Sequence, residues 1–485
     1  MASGYDELKK AVEKGSRVVS VSGLTSPAAK AFMLSRLQAE TGKPFAVVTD
    51  SNTALETWES DLAFFRRPDE KTVISLPSFE TDPYSGVSPH AETQERRALA
   101  LWQLGQATPD LVILSARSLL QKTAKPAEIA ALGATVVRDS DLPPERLVET
   151  LISGGYVREE PLYAPGQFSV RGGIVDVWSP DAETPVRIEF FGDTVDSIRS
   201  FDAETQLSTG HSEKISIAPM REFAFSPQDL KDWAFFARDR FSGDRYARNL
   251  KDRTDFAENG ETFSGWEFLI PVVRPLTATI FDHLPDCVFV VDEPTTIEQT
   301  LTGLYKHIAD SYRALDDLGD IGLEPAELFL TVDELRSQLK GSPLLELRSL
   351  GRAAAASDED FAISESALAS PLYLFPTVEK AAEVELFSRA TRKFNGDFPA
   401  FVAELNSENR AAETHIVLET PGMAERLDEI LREYDVPPGR YSSEIGCISG
   451  GFELPAFGMV FYAESDIFGE TSDAEFRVAP PRGTR

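Results

Sequence analysis

Lys30, Asp292 and Glu293 are the residues whose types and settings come nearest to nucleotide chemistry. A phosphate loop needs G-x-x-x-x-G-K-[ST] between a strand and a helix. Its glycines let backbone N–H groups wrap the phosphates, its lysine reaches the terminal phosphates, and its hydroxyl holds magnesium. Here an apolar run, Val18–Val21, leads into Ser22-Gly23-Leu24-Thr25-Ser26-Pro27-Ala28-Ala29-Lys30-Ala31. With Lys30 as the motif lysine, Leu24 and Ala29 replace both glycines and Ala31 replaces the hydroxyl. With Gly23 as the first glycine, Ala29 stands at the lysine position. Either register abolishes the cradle. The run Val288-Phe289-Val290-Val291-Asp292-Glu293 has the form of the other half of an ATPase, an apolar strand ending in carboxylates that would hold magnesium and polarise water. Strands also end in acidic residues that cap the next helix. Gly23, Lys30, Asp292 and Glu293 are therefore expected to form a degenerate nucleotide site, with no catalytic residue and no cofactor or metal. The histidines His90, His211, His283, His307 and His415 make no H-E-x-x-H, and no nucleophile elbow is present.

A second constellation is suited to binding. From Ala164 to Phe201 the chain has two strand-like runs, a Gly-Gly pair inside the first and a Gly-Asp turn after the second. Period-two alternation puts Val186, Ile188 and Phe190 on one face and Arg187, Glu189 and Phe191 on the other. A large aromatic beside an arginine on the face that meets water marks a protein-binding surface, because Phe and Arg are enriched at interface cores. Alternation alone leaves open whether a second sheet or a helix covers that face.

The elements that position these residues fall into distinct stretches. Residues 1–130 alternate strands (Val18–Val21, Phe45–Thr49, Val73–Leu76, Leu111–Ser115) with helices (Ala28–Ala39, Thr53–Phe65, Thr93–Leu104), which predicts a parallel sheet with right-handed crossovers. Residues 131–219 change class: a helix over Pro143–Ser153 is followed by about five strands, an inserted α+β module. Residues 220–348 read as mainly helical, with a returning strand at Val288–Val291. Residues 349–370, rich in Ala, Ser, Asp and Glu, read as a linker. A small α/β domain is expected over 371–470, with strands at Thr414–Leu418 and Met459–Ala463 and a helix at Met423–Glu433, and a tail over 471–485.

Composition narrows the function classes. The chain has 485 residues, 42% of them hydrophobic, and a formal charge of −31. So acidic a chain repels a phosphate backbone, since nucleic-acid affinity comes from Lys and Arg displacing counterions. Basic protein partners are favoured over DNA. Two cysteines, Cys287 and Cys447, each in an apolar context, form no zinc or disulfide framework and fit a reducing cytosol. The charged N-terminus is no signal peptide, and no apolar run spans a bilayer, so a cytoplasmic location without membrane partners is expected.

Several segments together resemble one family. They are Phe79–Tyr84 with Ser88-Pro89-His90, Gly155-Tyr156, Val170–Asp176, Arg187–Asp193, Ser197–Asp202, Asp282–Pro294 and Glu464–Gly469, in order along nearly the whole chain. The set resembles the N-terminal region of the bacterial transcription-repair coupling factors (Mfd), whose first domains are similar to the excision-repair protein UvrB. The resemblance implies a helicase-like first domain that has lost its ATPase residues, with residues 220–348 as its second part. It implies a short loop around Asp82–Ala91 where UvrB carries a damage-gripping hairpin. It makes the 131–219 module a docking surface for UvrA, with contacts at Arg171, Arg187 and Phe191. It further implies that the family's polymerase-binding and ATP-dependent translocase domains, and with them the contacts to RNA polymerase, DNA and ATP-magnesium, lie outside this chain. The UvrA face would then be permanently available. Whether the chain is a fragment or a shortened relative is not read from it. The alternatives from other classes are an active ATPase and a direct binder of damaged DNA.

Overall fold

The computed structural model describes residues 4–66, 73–224, 226–350, 372–376, 381–407, 413–437 and 439–469. The expected tail lies outside these residues, as does the expected linker apart from residues 349 and 350. The fold is α/β: a large parallel sheet, an inserted α+β module and a further small sheet unit.

In chain order the first domain runs α1 (Gly4–Glu13), β1 (Val18–Ser22), α2 (Pro27–Thr41), β2 (Phe45–Thr49), α3 (Asn52–Phe65), β3 (Ile74–Leu76), α4 (Ala91–Gln106) and β4 (Leu111–Ser115). The inserted module holds β5 (Ala134–Val137), α5 (Pro144–Ser153), β6 (Val157–Arg158), β7 (Gln167–Arg171), β8 (Ile174–Val177), β9 (Val186–Phe191), β10 (Thr194–Phe201), β11 (Ser208–His211) and β12 (Lys214–Ile217). The chain then returns through α6 (Pro227–Arg240), α7 (Ala247–Glu258), β13 (Val288–Asp292), α8 (Pro294–Asp317), α9 (Val332–Gly341) and β14 (Leu344–Arg348). It ends in β15 (Ala382–Glu385), β16 (Arg389–Ala390), β17 (Glu413–Leu418), α10 (Pro421–Glu433), β18 (Ser442–Ile445), β19 (Phe452–Leu454) and β20 (Met459–Ala463).

The large sheet has the order β15-β1-β14-β13-β2-β4-β3, and the pairings within it are parallel. Every residue of β2 and β4 is buried, as a parallel strand covered on both faces requires. One face packs Leu34 and Leu37 of α2 and Trp58 and Leu62 of α3; the other packs Leu101 of α4, Trp233 of α6 and Leu301 of α8. Two strands of this sheet escape the sequence pattern. β14 sits between β1 and β13, and β15, from within the stretch assigned to the small domain, adds to the free edge of β1.

The small unit has the sheet order β16-β19-β20-β17-β18. Phe452 and Phe461 from this sheet join Phe32 and Phe65 of the first domain in a common core. Asp61 of α3 adds a polar clamp, accepting from the N–H of Ser449 at 2.6 Å and its Oγ at 2.7 Å. Burial pushes the Asp61 carboxyl up to about 6.

The module's main sheet has the order β11-β10-β9-β8-β7-β6, with β5 and β12 as a separate ribbon. That is seven strands over Tyr156–Pro219 in place of about five. The Gly-Gly pair does not sit inside a strand. Gly172, at φ +60°, opens the two-residue turn joining β7 to β8, and Gly192, at φ +62°, does the same between β9 and β10. Where the chain leaves the module, buried Arg97 of α4 grips Glu222 through Nε at 2.5 Å and bonds the carbonyl of Pro77 at 2.7 Å.

Candidate functional site

Lys30, Asp292 and Glu293 meet beside the C-terminal end of β13. Pro27 opens α2 behind an extended Ser26, which puts Lys30 in the first turn. Its side chain is buried, and Nζ donates to Asp292 Oδ1 at 2.6 Å and to Glu293 Oε1 at 2.8 Å. Trp58 Nε1 donates to the other Asp292 oxygen at 2.8 Å. Glu293 Oε1 also accepts from the N–H of Ser349 at 2.8 Å and from its Oγ at 2.5 Å. Burial opposes the charge on Lys30, but Asp292 and Glu293 outweigh it and hold the ammonium above its ordinary range. Desolvation likewise opposes ionisation of Glu293, and Lys30 and Ser349 overcome it, holding the carboxyl below the usual range. Glu293 stands at φ +54°, a left-handed conformation costing about 1–3 kcal/mol for a residue with a side chain. Its bonds to Lys30 and Ser349 hold it there.

Gly23 does not touch this triad among the bonds described; it faces the chain that follows β15. Its N–H donates to the carbonyl of Arg348 at 3.2 Å, and its carbonyl accepts from the N–H of Ser388 at 3.0 Å. The N–H of Thr25 donates to Ser388 Oγ at 3.0 Å. With φ +89°, and with a Cβ placed 2.9 Å from the carbonyl oxygen of Leu386, this position requires glycine. Backbone N–H groups of the kind a phosphate cradle offers are thus already occupied by the chain itself. Trp58, Ser349 and Ser388 are contributors that no sequence pattern pointed to.

In the module, α5 and the β5–β12 ribbon cover the face of Ile188: Leu147, Leu151, Val136 and Ile217 pack on Val175, Ile188 and Ile198. The opposite face carries the second constellation. Strand register sets Asp176 opposite Arg187, and Arg187 opposite Arg199. Arg187 Nε donates to Asp176 Oδ1 at 2.7 Å and Nη2 to Oδ2 at 2.9 Å; Arg171 Nη2 reaches the same Oδ2 at 2.7 Å. Gln206 Oε1 accepts from Arg187 Nη2 at 3.2 Å, and the guanidinium lies 4.6 Å from the centre of the buried Phe201 ring. The bonds to Asp176 hold the Arg187 guanidinium above its ordinary range.

Phe191 closes β9 at the turn and is 84% exposed. The Arg171 side chain is 45% exposed and that of Arg187 18%. So the structure brings Arg171 and Arg187 together through Asp176 and leaves the ring in solvent. Arg187 is more enclosed than an outward-facing charge on a bare sheet. Its neighbours Arg199 and Glu189 pair with each other. The net charge that favoured basic partners therefore does not describe this face, where each of these charges has an opposite beside it.

The loop over Asp82–Ala91 is tied down. Tyr84 is buried and donates to the carbonyl of Leu323 at 2.9 Å, while Asp82 accepts from Ser311 Oγ at 2.7 Å and Glu267 accepts from Ser88 Oγ at 2.7 Å. Cys287 is buried, whereas Cys447 is exposed despite its apolar sequence neighbours, because it follows β18 at the surface. Among the described residues no group of three or more His, Cys, Asp or Glu side chains is placed to hold a metal ion, and no helix is long and apolar enough to cross a membrane.

Residues 135–223 match the family model described as the UvrB interaction domain, a span that contains Arg171, Asp176, Arg187 and Phe191. A transcription-repair-coupling factor of Myxococcus xanthus is 31% identical over 334 residues, covering 66% of this chain and 28% of the relative. That of Haemophilus influenzae is 28% identical over 330 residues, covering 67% and 28%. That of Staphylococcus aureus strain MRSA252 is 25% identical over 473 residues, covering 92% and 38%. The chain therefore spans roughly a third of the length of these relatives. The resemblance to the N-terminal region of transcription-repair-coupling factors, read first from scattered motifs, is shown by these matches.

Proposed function

We propose that this chain acts as an adaptor in transcription-coupled nucleotide excision repair, recruiting the excision-repair protein UvrA through the outward face of the 131–219 module. The observation that carries the reading is the Arg171–Asp176–Arg187 cluster with Phe191 exposed at the adjoining turn, all inside the span that matches a UvrB interaction domain. A largely exposed ring on the same strand as an ordered guanidinium group supplies what interface centres use most, aromatic area and fixed donors.

The reading gives the chain no catalytic role. Support comes from the tied Lys30 and from the occupied N–H groups of Gly23 and Thr25, which leave these residues ill-suited to a nucleotide phosphate. Direct gripping of damaged DNA draws no support from the Asp82–Ala91 loop, whose tyrosine is inside. The reading also gives the chain no part of its own in moving DNA or contacting RNA polymerase, which the resemblance implies for other domains.

Calorimetric titration with UvrA tests the assignment. An Arg187→Ala, Phe191→Ala double variant is expected to bind about a hundredfold more weakly, since truncating an interface anchor costs about 1–4 kcal/mol each. Affinity within twofold of the unaltered chain rejects it.

A further inference from the structure

We propose that Asp176 is the positioning residue of the docking face, fixing Arg171 and Arg187 as one Arg–Asp–Arg unit before any partner arrives. The inference rests on the docking reading above and extends it to a residue that is itself buried and need touch no partner.

The sequence places Asp176 where it must act. In β8, Val175 and Val177 turn to the module core, so the side chain between them turns to the face of Arg187. Asp176 lies opposite Ser169 in β7 and Arg187 in β9, and both Asp176 and Ser169 are 2% exposed. A carboxylate so far from water is tolerated only when matched by charge and hydrogen bonds. Both its oxygens are taken, Oδ1 by Arg187 and Oδ2 by Arg187 and Arg171 together.

The two guanidinium groups are thereby held at fixed separation, with their remaining edges available. Neither Nη1 donates a hydrogen bond to any of the described residues. Arg187 is further braced by Gln206 and the Phe201 ring. Among the described residues Arg171 meets Asp176 and the more distant Glu160, 3.7 Å from its Nε. Arginine is rich in rotamers, and ordering such a side chain at the moment of binding costs affinity. Two side chains ordered in advance are together worth about tenfold to a hundredfold. Asp176 does this ordering from beneath the contact surface.

The test is a cycle of four chains titrated with UvrA: the unaltered protein, Asp176→Asn, Arg171→Ala with Arg187→Ala, and the triple variant. Asp176→Asn is expected to weaken binding about tenfold to a hundredfold in the unaltered background. In the chain lacking both arginines it is expected to change affinity less than twofold. There it should also raise the thermal midpoint, because the lone carboxylate left behind is a buried charge without a partner. If the arginine variant loses binding while Asp176→Asn keeps it, the positioning role is overturned and the docking reading stands. Equal weakening in both backgrounds overturns it too, as general damage to the module. If the arginine variant itself binds normally, the docking reading fails and this inference falls with it.

A measurement on the unaltered chain without partner needs no folded variant of Asp176. Nitrogen-detected NMR should show slow exchange of the Arg187 Nε–H and hindered guanidinium rotation in both Arg187 and Arg171, assigned by their loss in Arg187→Lys and Arg171→Lys. Freely averaged signals from both arginines overturn the proposal.

Discussion

Lys30 sits between two carboxylates, and Asp176 sits between two guanidinium groups. The clusters are mirror images in charge, and they differ in what lies outside them. Around Lys30 the second oxygen of Asp292 accepts from Trp58, and the Glu293 oxygen that meets Lys30 also accepts from Ser349, so the chain's own groups surround the ammonium's acceptors. Around Asp176 it is the arginines that lie outermost, with the Arg171 side chain half exposed and the Phe191 ring, at the turn that closes β9, in solvent. A shared charge turned inward serves the fold. The same arrangement turned inside out can serve a second molecule.

Perturbing each cluster should therefore give opposite readouts. Lys30→Met leaves Asp292 and Glu293 side by side without their cation, and is expected to lower unfolding free energy at pH 7 by about 3 kcal/mol in urea titration while leaving UvrA affinity unchanged. Glu293 is half-buried, which keeps the figure below that of a fully enclosed pair. The deficit should narrow in acid. Because the folded carboxyl of Glu293 is held below its unfolded range, its contribution is present above about pH 4 and disappears as pH falls through the folded value. A deficit that persists unchanged at pH 3 would sink this account of the pair. Phe191→Ala should show the reverse, weaker binding with little change in stability, since its ring lies in solvent.

Asp61 gives a smaller effect of opposite sign. Its folded carboxyl binds a proton more tightly than the unfolded one, so its ionisation opposes folding at neutral pH and that penalty fades as pH drops through about 6. Asp61→Asn can keep both contacts to Ser449, with the serine hydroxyl reversed. It is expected to gain about 1–2 kcal/mol over the unaltered chain at pH 8 and much less at pH 4, as thermal unfolding across that range would show. Equal gains at both values would refute burial as the cause.

The smallest expected effect is none at all. A nucleotide bound at a hundred times its dissociation constant would stabilise the fold by about 2.7 kcal/mol. Addition of ATP and magnesium should leave the melting temperature where it was. A clear upward shift would place a working site in the chain and dissolve the contrast between the two clusters.

How far the sequence showed these features depended on whether charge interrupted hydropathy. Phe45–Thr49 and Leu111–Ser115 were readable to the residue, since parallel strands covered on both faces are unbroken apolar runs. β14 was not, because Glu346 and Arg348 stand in fully buried positions and bond each other at 2.9 Å, a pair that reads as surface. β15, with the sequence Ala-Glu-Val-Glu, reads as polar for the different reason that it is an edge. At the proposed docking face, Arg187 and Phe191 followed from alternation and Arg171 from resemblance. Asp176 was within reach of the same argument, flanked as it is by two core valines. Yet an acid on a strand passes for a solvated charge. The tie between Lys30 and the Asp292–Glu293 pair joins residues over 260 positions apart, and only the sheet order brings them within bonding distance.

The pairing of β15 with β1 has a practical corollary. Residues Val19–Ser22 are laced to Ala382–Glu385 through a parallel ladder that joins the chain before residue 350 to the chain after 381. Proteolytic nicking in that interval should yield two bands on a denaturing gel but a single peak in gel filtration. Trimming the gene to stop at residue 350 would instead bare the backbone edge of β1, a ready template for strand exchange with a neighbouring copy.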